Sequence, residues 1–149
     1  MRVLFLDIDG VLNSTRTRPA DPQSLVDWLE PACVTALDAI VAATGAAVVV
    51  TSSWRIGRTR DELAAALAAR GFRGRVAGVT PDLRAARLGR DDEIEAWLRA
   101  EGAGVEAYVI VDDALSLGRL EPRHYRTSPT RGLRADDVEA VATLLRDGS

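Results

Sequence analysis

Short runs of apolar residues alternate along the chain with longer segments in which apolar residues recur every three or four positions. The runs are apolar throughout, a pattern typical of strands that are buried on both faces of a sheet. Four such strands are predicted, at 3–6, 46–50, 75–79 and 107–111, and a short fifth is expected around 124–127. We therefore expect a sheet of about five strands.

The segments between these runs have helical spacing. The clearest helix begins near Pro31, which suits a first helical turn, and stops before Gly45. Further helices are predicted over about 59–70, 91–102 and 135–146. Residues 13–24 are polar and lack sustained periodicity, so they are expected to form a loop or a small hairpin.

Strands that alternate with helices need crossover connections, which produce a parallel sheet covered on both faces. The pattern thus predicts one α/β domain over residues 1–149, a three-layer, Rossmann-like parallel sheet of about five strands with helices on both faces. Sheets of this kind bind ligands at the carboxyl ends of their strands. Polar residues follow the predicted strands at those ends.

Composition removes several classes of function. A net charge of −3 gives no overall basic field for nucleic acid or an anionic membrane. A single cysteine, Cys33, excludes an intrachain disulfide, and no stretch approaches the ~20 apolar residues of a membrane span. We find no targeting signal and expect a cytoplasmic protein without a membrane partner.

Acidic residues follow two of the predicted strands. Asp7 and Asp9 are two residues apart on extended chain, so their side chains can point to the same side, and Gly10 allows a sharp turn after them. Asp112 and Asp113 follow the fourth strand, which can neighbour the first in a parallel sheet. Grouped carboxylates oppose each other's ionisation unless a cation compensates, and an oxygen-only site suits Mg²⁺.

Zinc is not expected, because Cys33 and His124 are isolated in the sequence and offer no ligand spacing. Both are interpreted as structural residues.

The segments VLFLDIDGVLN, VVVTSSWR, Arg90 ahead of DEIEAWL, and YVIVDDAL follow one another in this order. Together they resemble the four motifs of the haloacid dehalogenase superfamily of phosphohydrolases, over residues 3 to about 115. The spacing is similar to that of small bacterial members, including the domain found in some RNA-repair proteins. With no long insertion after the first motif or the third strand, a large cap domain is not expected, and residues 13–24 would form a flap beside an open site.

The resemblance implies a role for each motif. Asp7 would be the nucleophile and Asp9 the acid and base, a hydroxyl of Thr51 or Ser52 would bind phosphate, and Arg90 would supply a cation. Arg84 and Arg87 are alternatives to Arg90, although only Arg90 stands at the start of a predicted helix. The metal ligands would be drawn from Asp7, Asp9, Asp112 and Asp113, and Mg²⁺ would be the cofactor.

The implied activity is hydrolysis of a phosphate monoester through an aspartyl-phosphate. A catalytically idle phosphate-binding module and a phosphotransferase of the same fold remain alternatives. The phosphorylated substrate is open, either a small molecule or an exposed phosphate on a macromolecule, and there is no strong nucleic-acid signature.

Three further groups of residues lie near the motifs or carry aromatic or charged side chains, and plainer interpretations are expected for them. Trp28, Trp54 and Trp97 are expected to pack in cores rather than to stack on bases, with Trp54 and its neighbour Arg55 the ones closest to the site. Arg16 and Arg18 of the flap are expected to be solvated. Ser53 is expected to satisfy backbone groups at a turn.

Overall fold

The computed structural model describes residues 1–147 of the 149-residue chain. It contains a sheet of five strands in the order β3-β2-β1-β4-β5, and every neighbouring pair is parallel. The strands are β1 (Arg2–Leu6), β2 (Ala47–Val50), β3 (Val76–Val79), β4 (Ala107–Asp112) and β5 (His124–Arg126). The predicted parallel sheet is confirmed, and so is the expectation that the first and fourth strands are neighbours.

Within the described residues, five α-helices connect or flank the strands. They are α1 (Leu25–Trp28), α2 (Pro31–Thr44), α3 (Arg60–Ala69), α4 (Arg90–Glu101) and α5 (Val138–Asp147). Pro31 occupies the first turn of α2 and Gly45 ends it in the left-handed conformation, at a φ of 72°, as the sequence predicts. The short helix α1 was not predicted, because four residues are too few to show a helical period.

Residues 13–24 form turns and irregular chain, so the loop alternative holds and the hairpin does not form. No helix within residues 1–147 has the length and apolar character needed to cross a membrane.

The two faces of the sheet bury different sets of residues. Leu4 and Leu6 of β1 belong to a large core under α2, α3 and α5, while Val3 and Phe5 belong to a smaller core that includes Ile94 of α4. Alternate residues of a strand point to opposite faces, so a fully apolar strand fills both cores. The three-layer arrangement with helices on both faces is confirmed.

The register of the sheet places four polar residues in one row at its carboxyl edge. The backbone N–H of Asp7 donates to Val111 at 3.1 Å, and that of Thr51 donates to Leu6 at 2.9 Å. Asp7 is thereby aligned with Asp112 on one side and with Thr51 on the other, and Thr80 continues the row beyond Thr51. Residues that share a row point to the same face, here the face that carries α4.

Candidate active site

Three carboxylates converge where β1 and β4 end. Asp7, Asp112 and Asp113 each offer one oxygen, and these oxygens lie within 4.8 Å of one another. Asp7 and Asp112 are buried and Asp113 is partly exposed. The convergence follows from the sheet order, since β1 and β4 are adjacent and end at the same edge.

Arg90, the first residue of α4, reaches two of these acids. Its Nη1 atom lies 2.8 Å from Asp112 Oδ2 and 3.1 Å from Asp7 Oδ2, and its side chain is 30% exposed. Arg84, an alternative at the sequence level, instead forms an exposed pair with Asp82. The structure thus brings Arg90 to the acids and directs Arg84 elsewhere.

The electrostatics of this cluster are unfavourable without a further cation. Burial raises the pKa of Asp7 to about 7, with Arg90 acting in the opposite direction and Asp112 adding to the increase. The pKa of Asp113 is also raised, first by burial and then by Asp112. Removing a carboxylate from water and placing it beside another both disfavour its ionised form.

The same cluster fits a divalent metal ion. Three ionised carboxylates and one guanidinium together carry a net charge of −2, which one divalent cation would neutralise. All three potential ligands are oxygens, the donor type that Mg²⁺ prefers. Asp7, Asp112 and Asp113 are therefore the residues that could hold it.

Asp9 lies outside this group of three, although the sequence placed it among the candidate metal ligands. It is exposed, and its Oδ1 accepts hydrogen bonds from Asn13 Nδ2 at 2.9 Å and from Trp54 Nε1 at 3.1 Å. Gly10 turns the chain between Asp9 and the following loop at a φ of 82°. Asp9 thus has different neighbours from Asp7, two residues earlier, which lies with Asp112, Asp113 and Arg90.

The two candidate phosphate-binding hydroxyls differ in their contacts. Ser52 Oγ accepts a hydrogen bond from the backbone N–H of Trp54 at 3.2 Å. Thr51 Oγ1 is buried and has no hydrogen-bond partner among residues 1–147. A buried hydroxyl without a hydrogen-bond partner is costly. The Thr51 hydroxyl therefore needs an acceptor, and a phosphoryl oxygen of a ligand could supply it. The geometry favours Thr51 over Ser52.

A cleft of about 410 Å³ opens beside the acids. Asp9 and Asp113 line it, and the other lining residues include Asn13, Trp28 and Trp54. Trp97 packs in the smaller core as expected, but Trp28 and Trp54 are only partly buried and form walls of the cleft.

The loop of residues 13–24 borders the same cleft through Asn13, Ser14, Thr15 and Pro22. Arg16 and Arg18 are both exposed, and the Arg18 guanidinium donates to carbonyl oxygens of its own loop, those of Thr15 and Thr17. Neither arginine lines the cleft.

Sequence analysis missed a buried ion pair behind the site. Arg55 Nη2 lies 2.9 Å from Glu93 Oε2, and both side chains are almost fully buried. Arg55 also donates to backbone oxygens at the ends of β2 and β3, including those of Thr51 and Thr80. The only sequence signal was the position of Arg55 next to Trp54, since nothing local links it to a glutamate 38 residues later.

His124 contacts the backbone of Asp112, one of the candidate metal ligands. Its Nε2 lies 2.9 Å from the backbone carbonyl oxygen of Asp112. A carbonyl oxygen can only accept, so Nε2 is the protonated nitrogen in this contact. The contact agrees with the structural role that the sequence suggested for His124.

The chain was compared with known proteins. The family model described as the HAD domain in Swiss Army Knife RNA repair proteins matches residues 3–138, most of the chain. Comparisons with curated proteins and with solved structures gave no significant match.

Proposed function

Since the chain belongs to the haloacid dehalogenase (HAD) superfamily, we propose that it is a Mg²⁺-dependent phosphatase, which hydrolyses a phosphate monoester through an aspartyl-phosphate. The observation that carries the proposal is that Asp7 and Asp9 have different neighbours. Asp7 lies with Asp112, Asp113 and Arg90, whereas Asp9 is held apart with its own hydrogen bonds. Phosphoryl transfer by this route needs one acid as nucleophile and a second for proton transfer.

Asp7, Asp112 and Asp113 would hold the metal ion. When bound, Mg²⁺ supplies positive charge against the transferring phosphoryl group. Arg90 adds a fixed positive charge at the same place and orients the Asp7 carboxylate through its 3.1 Å contact. Thr51 donates its unpartnered hydroxyl to a phosphoryl oxygen, which satisfies a group that otherwise stays buried without a partner.

The nucleophile attacks phosphorus in line with the departing alcohol. A carboxylate oxygen of Asp7 forms the new bond to phosphorus, the bond from phosphorus to the leaving oxygen breaks, and Asp9 gives its proton to that oxygen. Asp9 then takes a proton from water, and the resulting nucleophile attacks the aspartyl-phosphate and releases inorganic phosphate. Asp7 and protonated Asp9 are regenerated.

An open cleft beside Asp9 leaves room for substrates of different sizes. Within residues 1–147 no large domain covers it, and the loop of residues 13–24 forms part of its border. The matching family is named for RNA repair proteins, so phosphorylated RNA ends belong in the substrate panel beside nucleotides and sugar phosphates.

An assay of inorganic phosphate release from 4-nitrophenyl phosphate, with Mg²⁺ and with EDTA, tests the proposal. We expect turnover by the wild-type protein with Mg²⁺, none with EDTA, and none by Asp7→Asn. Asp9→Asn should form the aspartyl-phosphate from this activated substrate but hydrolyse it slowly, because the base is missing.

Two outcomes would support the alternatives. A wild-type protein that binds phosphate and Mg²⁺ without turnover would be a binding module. Release of nitrophenol in excess of phosphate when glycerol is added, with glycerol phosphate as the second product, would identify a phosphotransferase.

A further inference from the structure

The carboxylate of Asp9 is bound asymmetrically. Both of its side-chain partners, Asn13 Nδ2 and Trp54 Nε1, donate to the same oxygen, Oδ1. Within residues 1–147, Oδ2 has no hydrogen-bond partner, so one oxygen is saturated and the other is free. An exposed carboxylate without such contacts would rotate, and the two donors prevent that.

The direction of these hydrogen bonds is fixed by the donors themselves. An indole N–H can only donate. The amide of Asn13 is oriented by the backbone N–H of Gly10, which donates to Asn13 Oδ1 at 3.0 Å and leaves the Nδ2 group to face Asp9. Two N–H groups that point at Oδ1 occupy its acceptor positions, so Oδ2 is the oxygen that faces away from both donors and is free to contact a substrate.

Trp54 connects this arrangement to the rest of the site. Trp54 follows β2 in a short turn that also contains Ser52. The hydroxyl of Ser52 accepts a hydrogen bond from the backbone N–H of Trp54. The guanidinium carbon of Arg58 lies 4.8 Å from the centre of the indole, which steadies the ring. The side chain then reaches Asp9, which lies beyond the end of β1, and forms a wall of the cleft.

The cleft has the properties of a pocket for an uncharged alcohol. Its lining includes Asp9, the candidate metal ligand Asp113, and the side chains of Trp28, Trp54 and Pro22. Among the described residues no basic side chain lines it, and the two charged lining residues are carboxylates. A leaving group with further phosphates would be repelled there, while an apolar body would bury surface against the tryptophans.

We propose that this cleft is the leaving-group subsite and that Trp54 and Asn13 are positioning residues, which present Oδ2 of Asp9 to the leaving oxygen. The proposal rests on the proposed phosphatase activity and adds to it the atom that transfers the proton and the kind of alcohol released. As the phosphorus–oxygen bond breaks, the proton moves from Oδ2 to the leaving oxygen, and the alcohol departs neutral. The carboxylate that remains keeps both hydrogen bonds on Oδ1.

A comparison of two substrates tests this inference. Dinitrophenolate leaves readily as an anion, whereas an alkoxide needs a proton from Asp9, so only the second reaction depends on a correctly placed Oδ2. The quantity to measure is kcat/KM for dinitrophenyl phosphate and for phenylethyl phosphate, because it covers the steps up to departure of the alcohol and excludes the shared hydrolysis step.

The variant Trp54→Phe keeps an aromatic wall and removes one donor to Asp9. We expect kcat/KM for phenylethyl phosphate to fall about tenfold, the size of one hydrogen bond to a charged group, and that for dinitrophenyl phosphate to fall less than about twofold. Trp28→Phe is the matched control, since its indole lines the same cleft but donates to the carbonyl oxygen of Pro22. Any loss caused by Trp28→Phe should be equal for the two substrates.

A second variant guards against misfolding of the first. Asn13→Ala removes the amide donor to Asp9 and adds no charge beside it, so it should show the same selective loss. Equal losses on both substrates, or no loss at all, in variants whose thermal unfolding matches the wild type would overturn the inference. Wild-type protein that turns over neither substrate would instead refute the proposed function, and this inference with it.

Discussion

Two adjacent hydroxyl groups after β2 show how much a single residue's contacts decide. Thr51 and Ser52 are indistinguishable as phosphate ligands in the sequence. In the fold, Ser52 accepts from the backbone of Trp54, whereas Thr51 shares the row of Asp7 and Asp112 and has a hydroxyl without a partner in residues 1–147. The hydroxyl of Ser52 thus has a local structural contact, whereas that of Thr51 is a buried donor whose hydrogen bond is not used within residues 1–147.

Thr51→Val should separate stability from activity. Valine has nearly the same shape and removes a buried hydroxyl that makes no hydrogen bond, so the free energy of unfolding should stay the same or rise by up to about 1 kcal/mol. Phosphatase kcat/KM should fall by about 10- to 100-fold, because a hydrogen bond to the charged phosphoryl group is lost. Urea unfolding and a steady-state assay measure the two quantities.

Ser52→Ala is the matched control for Thr51→Val. It removes the acceptor of Trp54 N–H and should lower the free energy of unfolding by about 1 kcal/mol with a smaller effect on kcat/KM. If Ser52→Ala abolished activity while Thr51→Val retained it, the assignment of the phosphate-binding hydroxyl would be reversed.

Gly10 is a second residue whose role depends on its surroundings. It has a φ of 82°, and a Cβ atom built on it would overlap the carboxylate of Asp113. Gly57 also has a positive φ, of 77°, but a Cβ atom there would meet no atom of the described residues within 4 Å. The two glycines thus share the conformational requirement and differ in the steric one.

Gly10→Ala should therefore be more damaging than Gly57→Ala. Both variants bear the cost of a left-handed alanine, about 1 kcal/mol, which a thermal unfolding experiment measures. Only Gly10→Ala also displaces Asp113, so only it should weaken Mg²⁺ binding, by tenfold or more in isothermal titration calorimetry. Equal Mg²⁺ affinities in the two variants would show that Asp113 does not ligate the ion.

At the scale of elements, α4 matters because its first turn carries Arg90. The turn is fixed by Glu93, whose Oε2 accepts from Arg55 and from the backbone N–H of Leu83, both at 2.9 Å. Arg55 in turn binds carbonyl oxygens that follow β2, among them that of Thr51. One buried ion pair thus connects the helix that bears Arg90 to the strand end that bears Thr51, the residue proposed to bind phosphate.

Glu93→Gln should destabilise the protein and misplace Arg90. It leaves a buried guanidinium without its counter-charge, which costs about 3 kcal/mol in the free energy of unfolding. Glu95→Gln on the same helix is the matched control, since Glu95 pairs with the exposed Arg119 at 2.7 Å and such pairs contribute under about 1 kcal/mol.

Activity gives the second measure of the Glu93 variant. At a temperature where both variants are folded, Glu93→Gln should lower kcat for 4-nitrophenyl phosphate and Glu95→Gln should not. A Glu93→Gln protein with wild-type kcat would mean that Arg90 is held by its own contacts with Asp7 and Asp112 alone.

Across the whole molecule, the order of the strands brings the candidate metal ligands together. Asp7 and Asp112 are 105 residues apart in the chain, yet β1 and β4 pair in the middle of the sheet and end together. The ion would therefore bind only to the folded chain, and folding and metal binding should be thermodynamically linked.

Mg²⁺ should stabilise the protein against unfolding as a whole. At a free concentration one hundred times the dissociation constant, the expected gain is about 2.7 kcal/mol, which raises Tm by several degrees in a domain of this size. Asp113→Asn should be at least as stable as the wild type in EDTA, because it removes one of the mutually repelling carboxylates, and should gain less from Mg²⁺. Differential scanning calorimetry at constant ionic strength measures both, and an equal gain in the two proteins would contradict the proposed ligand set.

The sequence alone determined the type and order of most elements and the edge at which the site lies. Fully apolar runs, helical spacing and terminal residues such as Pro31 and Gly45 are local signals, and strand–helix alternation allows few topologies. Four motifs in order then indicated a family, which the match over residues 3–138 shows. The pairing of β1 with β4 could be anticipated because the first and fourth strands can be neighbours in a parallel sheet.

Which atoms meet depends on how distant segments pack together. The saturated oxygen of Asp9, the unpartnered hydroxyl of Thr51 and the ion pair of Arg55 with Glu93 all depend on contacts between elements distant in the chain. Local pattern fixes how a segment folds, because backbone geometry and periodicity act over a few residues. The partner of a side chain is fixed by packing, which brings distant segments together and which no local window contains.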